Sequence, residues 1–330
     1  LAASDKPFKT RSGVHYGHGQ PAGKVAVLFP GEGAQYPGML SELAVAFPQV
    51  REWFDFLDTT VSAREYQPSE AVFPAPNSLS EAARRELEHK LFDMDLASES
   101  VFASSQGLWA LMRACELKPD VLVGHSTGEN TALVAAGAIA ASTPQTLAGI
   151  AQGLNAIYRQ LESESAIKTG SLLTVGGLAA ESRDAVLAEF GDALVVAMDN
   201  CPNQAVVFGA PEVVAKAHSK LSAAGAICAE LPFGRAYHTA GFEPVSKAFR
   251  AFYQDLAITT PRIPVVSCAS TEAFPEDADA IRDLACIQWA RPVRFRETVE
   301  KLYAEGVRVF VEVGPSANLT SFVGDILKGK

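Results

Sequence analysis

Ser126 stands at the centre of Gly124-His125-Ser126-Thr127-Gly128, a G-x-S-x-G run with an apolar stretch before it and an alanine-rich stretch after it. A serine placed in this way suits nucleophilic attack on an acyl carbon. A sharp turn from strand to helix holds the hydroxyl out on a strained backbone, and the flanking glycines let the two elements approach without Cβ clashes. The helix N-terminus that follows offers free amides and a favourable dipole to developing negative charge. A glycine-rich turn with a solvent-facing serine would carry the same letters. The buried strand before it and the strong helix after it favour the catalytic reading.

A serine nucleophile needs a base within hydrogen-bond reach, usually histidine. The chain has six histidines. His15 and His18 fall in a polar, glycine-bearing N-terminal arm, His89 on a charged helix face (EHK) and His218 on a polar one (AKAHSK). His125 adjoins Ser126, but on a strained elbow its side chain points away from the hydroxyl. That leaves His238, in Phe233-Gly234-Arg235-Ala236-Tyr237-His238, where two domains should meet and a cleft should form. A structural histidine capping that hinge is the alternative. No carboxylate between the two stands out as a third member, since Asp199 reads as a turn residue. A backbone carbonyl can orient the imidazole instead.

The elements that must position this pair follow from periodicity. KVAVLFP (24–30) reads as a buried strand running into Gly31-Glu32-Gly33-Ala34-Gln35, a turn without the Lys-Ser/Thr ending of a phosphate loop, whose amides could line a site. SELAVAFPQVREWFDFLD and SEAARRELEHKLF read as amphipathic helices, and LASESVFASSQGLWALMRACEL as the apolar helix leading to the elbow strand. Gln106 is a polar group on that last helix, a packing residue unless the site lies beside it. TPQTLAGIAQGLNAIYRQLES predicts another long helix. GSLLTVGG, AAESRDAVLAEFG, ALVVAMDN, QAVVFGA, PEVVAKAHSKLSAAG and AICAELPFG then give β-α-β-β-α-β, the ferredoxin-like order. IPVVSCAS and VRVFVEVG return to buried strands, with a helix between them over ARPVRFRETVEKLYAEG. The expected architecture is α/β: an α/β-hydrolase-like large domain with a parallel sheet (24–168 and 234–330), an inserted ferredoxin-like small domain (169–233) and a linker arm (1–23).

The 330 residues have ample length to bury a core. A formal net charge of -10 argues against nucleic acid or an anionic membrane as main partner. The five cysteines, Cys115, Cys201, Cys228, Cys268 and Cys286, have no CxxC pairing and read as reduced packing residues, which points to a cytoplasmic setting and to no metal. No apolar run reaches the length of a membrane span. The chain opens on Leu1 rather than Met, as a piece of a longer polypeptide would.

FPGEGAQYPGM, GHSTGE, RAYH, RPVRF and EVGPSANLT, in that order from about Lys24 to Val323, resemble the acyl-CoA:acyl carrier protein transacylases. These are the malonyl transacylase of fatty acid synthesis and the acyltransferase domains of polyketide synthases. EGAQYPGM and GENTALVAAGA look most like the iterative type I synthases of the enediyne and polyunsaturated fatty acid kind. The resemblance implies a ping-pong reaction with no bound cofactor. Ser126 takes an acyl group from acyl-CoA while His238 takes its proton, and the acyl group passes to the phosphopantetheine thiol of an acyl carrier protein. It implies an oxyanion hole from two backbone amides, matching Glu32 and Thr127, and a histidine-orienting carbonyl matching Arg294. The family usually has Gln where Glu32 stands.

Malonyl-type members carry an arginine that forks onto the substrate carboxylate; the matching slot here is Gln152, a poor anchor for a carboxylate. Tyr237 matches an aromatic that fills the space an α-methyl would need, and Arg235 could supply the missing positive charge. Gln106 and His125 complete the substrate-binding candidates. The reading is therefore a malonyl-loading acyltransferase beside neighbouring synthase domains. Its alternatives are loading of an uncarboxylated acyl group such as acetyl, an esterase or thioesterase sharing the elbow, and a non-catalytic docking module.

Overall fold

Apolar side chains on successive residues, rather than alternate ones, mark strands buried on both faces; three strands of the large sheet are such runs, whereas Val307–Glu312 at one edge, expected to be buried, buries only Val307. The structure, a computed structural model, describes residues 6–11, 14–17, 19, 22–62, 64–74, 80–139, 143–232 and 234–330. Its strands are β1 (Phe8–Lys9), β2 (His15–Tyr16), β3 (Lys24–Phe29), β4 (Val121–Gly124), β5 (Ser171–Gly176), β6 (Leu194–Cys201), β7 (Gln204–Gly209), β8 (Ile227–Glu230), β9 (Val265–Ser267) and β10 (Val307–Glu312). The large sheet has the order β10-β3-β4-β9, all parallel. Val25 to Phe29 and all of β4 are buried. Helices cover both faces, as parallel crossovers require.

Between β4 and β9 the chain leaves for an antiparallel sheet of order β6-β7-β5-β8, with helices Ala180–Ala188 and Pro211–Ala223 on one face. That is the split β-α-β-β-α-β arrangement. We propose 169–233 as the limits of this inserted unit, although Phe233 itself lies outside the described residues. Its other face joins the main core: Leu172, Ala197, Val206 and Phe208 pack in one cluster with Phe29, Trp109 and Leu122. Polar ties reinforce the junction. Asp199, expected in a turn, lies in β6 and pairs with Arg296 at 2.7 Å, and Val293 N donates to Ala197 O at 2.9 Å.

Within the arm β1 and β2 pair antiparallel, with Phe8 stacked on Tyr16 at 5.4 Å between ring centroids; His18 lies outside the described residues. Three local expectations need revision. The run from Ser41 breaks into helices Ser41–Ala46 and Pro48–Thr60, because the residue before a proline is driven out of the helical region and Phe47 sits at φ -128°. The helix expected over ARPVRFRETVEKLYAEG starts only at Phe295, Pro292 holding Arg291 extended. Cys115 is exposed, not packed; Cys201, Cys268 and Cys286 are buried. Among the described residues, no helix is long and apolar enough to cross a membrane.

The elbow explains both of its glycines. A Cβ on Gly124 would meet Glu129 N at 2.1 Å, and one on Gly128 would meet Phe29 O at 2.2 Å. Strand and helix thus touch through bare backbone. Gly128→Ala should lower stability by about 3 kcal/mol, because neither colliding atom is a side chain that can turn away. Gly149→Ala, on the exposed face of helix Pro144–Ser163 with nothing near a new Cβ, should raise it by about 0.5–1 kcal/mol. Urea denaturation of both variants checks the contrast.

Candidate active site

β4 delivers the chain to Ser126, which adopts φ +56°, and helix Gly128–Ala135 starts at once behind it. A positive φ at a non-glycine residue is uncommon and strained. Backbone bonds hold the turn: Gly128 N donates to His125 O, Glu129 N to Ser126 O and His125 N to Phe29 O, each at 2.9 Å. Glu129 braces it from below. Its buried carboxyl accepts from Ser267 Oγ at 3.0 Å and Cys268 N at 2.8 Å, tying the elbow helix to the end of β9. Burial pushes that carboxyl up to about 8 despite these donors.

The partner arrives from far along the chain. Ser126 Oγ lies 2.6 Å from His238 Nε2, and His238 Nδ1 lies 3.1 Å from the carbonyl oxygen of Gln288. With Nδ1–H donating to that carbonyl, Nε2 carries the lone pair that faces the serine hydroxyl. His238 also has a positive φ, +58°, fixed by its own amide donating to Trp289 O at 2.9 Å, while the Trp289 ring lies nearly parallel to the imidazole. Both members of the pair are backbone-constrained and buried. Burial pushes the His238 imidazole down to about 4, the Gln288 carbonyl offsetting part of this. The ring is neutral, and so able to accept a proton, throughout the physiological range.

His15 and His89 are exposed and His218 is half-buried on the small domain. His125 points away from Ser126: its Nε2 lies 2.7 Å from Asn200 Oδ1 of β6, and its ring packs edge-on against Phe295. It anchors the small domain to the elbow.

Arg294 requires correction. Its carbonyl accepts from Thr298 N and Oγ1, opening helix Phe295–Ala304, and its amide donates to Cys268 O. The carbonyl that faces His238 belongs to Gln288, in the short 3-10 turn Gln288–Ala290. A carbonyl is chemically silent in a sequence, and only the Trp289 and Pro292 around it hint at a fixed turn.

Glu32 and Thr127 do come together over the elbow. Glu32 N donates to Thr127 Oγ1 at 3.0 Å, so an oxyanion would share or take over that amide from the threonine hydroxyl. The Glu32 side chain turns to Arg235, with Oε1 3.5 Å from Nη1 and only 5% of the side chain exposed. Burial pushes the Glu32 carboxyl up to about 7, with Arg235 and the Tyr237 hydroxyl pulling the other way. Arg235 is no surface arginine: it is 15% exposed, donates to Tyr237 Oη at 3.2 Å and lies over the Tyr158 ring.

A small cavity of about 60 Å³ opens beside Thr127 and Glu32, walled by Phe102, Leu154, Tyr237 and Trp289. Gln152 is not on its wall, although its Nε2 is buried without a hydrogen-bond partner. Gln106 donates to Thr131 O at 3.1 Å and joins two helices; it packs and does not face the cavity. On the other side of Glu32 and His125, a larger cleft runs between the two sheets past Asn200 and Gln204.

The acyl transferase domain model matches residues 27–330. The chain belongs to that family. This acyl transferase is 30% identical over 305 residues to the malonyl CoA-acyl carrier protein transacylase of Bacillus subtilis (strain 168), covering 91% of this chain and 89% of that protein. It is 29% identical over 324 residues to polyketide synthase GfsA of Streptomyces halstedii, covering 97% of this chain but 4% of the synthase. Its fold matches a malonyl-transacylase solved in complex with a type II polyketide synthase acyl-carrier protein, with TM-score 0.78, 27% identity, and 92% and 93% of the two chains covered. The α/β fold with a parallel sheet is thus that of the family.

The depressed basicity of His238 has a direct readout. With an uncharged ester such as p-nitrophenyl acetate, the rate of Ser126 acylation should stay flat from about pH 7.5 to about pH 5.5 and fall by half near pH 4. An imidazole with an ordinary pKa near 6.5 would already have lost about nine-tenths of the rate at pH 5.5.

Proposed function

We propose that this acyl transferase moves a malonyl group from malonyl-CoA, through an ester on Ser126, to the phosphopantetheine thiol of an acyl carrier protein. One observation carries the reading: the 2.6 Å contact between Ser126 Oγ and His238 Nε2, with Nδ1 held by the Gln288 carbonyl. His238 takes the serine proton as Oγ bonds to the thioester carbon. The tetrahedral oxyanion is received by the amides of Glu32 and Thr127 at the start of helix Gly128–Ala135. Collapse breaks the C–S bond, and His238 returns the proton to the departing CoA sulfur.

The second half runs the same steps in reverse. The carrier thiol gives its proton to His238, its sulfur bonds to the acyl carbon, and the Ser126–acyl bond breaks with the proton returned to Oγ. No carboxylate is needed behind the imidazole, since the Gln288 carbonyl fixes the tautomer. The residues themselves supply all the acid–base chemistry, without a bound cofactor. The small cavity supports a short acyl group rather than a long chain. The likeness of EGAQYPGM and GENTALVAAGA to iterative synthases supports a place beside other synthase domains, and the relatives include both stand-alone transacylases and a far longer synthase.

Loading of an uncarboxylated group such as acetyl is the second reading, favoured by the mostly apolar cavity wall. Intact-protein mass after incubation with malonyl-CoA and, separately, acetyl-CoA distinguishes them. The expected outcome is a malonyl adduct that is absent from Ser126→Ala, is reduced at least about a thousandfold in rate in His238→Ala, and is discharged by a holo carrier protein. An acetyl adduct alone would replace the malonyl reading. Rapid hydrolysis of the adduct without carrier would indicate a thioesterase.

A further inference from the structure

Among the described residues on the wall of the cavity beside Thr127, the residue that follows Ser126, Glu32 is the one with an acidic or basic side chain; its neighbours there include Phe102, Leu154, Tyr237 and Trp289, while Ser126 and His238 are not on that wall. Glu32 is also shared with the interdomain cleft on the far side, so it stands between the way in and the acyl chamber. Its Oε1 meets Arg235 Nη1 at 3.5 Å, an ion-pair contact longer than an ordinary hydrogen bond. Arg235 is not on the chamber wall; it lies behind Glu32, over the rings of Tyr158 and Tyr237. A substrate carboxylate entering the chamber therefore meets Glu32 before it meets Arg235.

From this geometry we infer that Glu32 sets acyl selectivity, admitting a carboxylated acyl group when its carboxyl is protonated and an uncarboxylated one when it is ionised. The inference rests on Ser126 being the acyl acceptor. In the ionised state Glu32 and Arg235 cancel, and an incoming carboxylate faces a like charge in a buried, weakly screened place. In the protonated state Glu32 no longer offsets the positive charge of Arg235, and the Glu32 O–H can donate a charge-assisted hydrogen bond to the substrate carboxylate. No covalent bond changes; the proton stays on Glu32.

The switch falls near neutrality, because burial holds the carboxyl up at about 7. The other titratable groups around it stay in one form through that range. Burial holds Tyr237 and Tyr158 far up and His238 down at about 4, and it lowers His125 further below its ordinary value. Arg235 is a guanidinium and stays protonated throughout that range. Glu162 stands behind Tyr158, accepting from its hydroxyl at 3.1 Å.

The test measures the ratio of kcat/KM for Ser126 acylation by malonyl-CoA and by acetyl-CoA from about pH 6 to about pH 8.5. The ratio cancels effects on the serine, the imidazole and the CoA phosphates. In the wild-type chain it should fall about tenfold as pH rises, the equivalent of about one pKa unit of differential interaction. Glu32→Gln should flatten the profile and hold it near its low-pH value. Arg235→Met should lower the ratio at the acid end, and it tests the inference even if the Glu32 variant does not fold. A wild-type ratio independent of pH, or an unchanged slope in Glu32→Gln, would overturn the inference. Absence of any Ser126 adduct from either thioester would instead overturn the acyl-serine reading beneath it.

Discussion

Everything at this site depends on a strand and a helix meeting with no side chain between them. The left-handed backbone of Ser126 exists because Gly124 and Gly128 allow β4, β3 and helix Gly128–Ala135 to close to backbone contact. That closeness places the Thr127 hydroxyl under the Glu32 amide and brings Glu129 within reach of the end of β9. The strain at Ser126 is one instance of a residue held in a sparsely populated conformation by surroundings that over-determine it. His238, equally left-handed, is the second. A pair so constrained loses little freedom on reaching the reactive geometry, which is how orientation contributes to rate.

Much of this was legible in the sequence because its signals are local. The G-x-S-x-G elbow, the apolar runs of β3, β4 and β10 and the β-α-β-β-α-β order each occupy one stretch whose letters reflect one physical demand. His238 emerged by exclusion, and its distance from Ser126 in the chain did not matter, since few histidines compete. What remained hidden was backbone chemistry and pairing across the junction. The resemblance points to Arg294 for the orienting carbonyl, but the chain turns six residues earlier and presents Gln288 instead. A carbonyl leaves no mark on residue type. Asp199 looks like a turn residue in the sequence because its partner, Arg296, is distant along the chain. Glu32 was visible as an oddity, yet nothing in the letters said that its side chain would reach Arg235 rather than water.

The electrostatics around the serine divide into two zones. Toward the cleft, His125 is spoken for by Asn200 and binds domain to domain. Toward the acyl chamber, Glu32 and Tyr237 stand on a mostly apolar wall, with the Arg235 guanidinium behind them. The neutral His238 lies between them, set apart by burial. A carboxylate at the usual glutamine position therefore need not oppose the oxyanion. Its charge is drawn toward the guanidinium, and its main chain remains available to the reaction.

The inserted unit has one further consequence, for how the chain reaches this state. β4 and β9 are neighbours in the large sheet, Leu122 pairing with Val265, yet the whole small domain is threaded between them. Closing so long a loop from an unfolded chain costs entropy and slows folding. The insert shortens the search. Its entry and exit are stitched together, Gly170 N donating to Gly234 O at 3.2 Å and Thr169 bridging Arg235. Once folded, it acts as a clip that delivers the following segment back to the point where the preceding one left. During synthesis, the nucleophile would therefore wait, solvent-exposed and without its base, until this clip has closed.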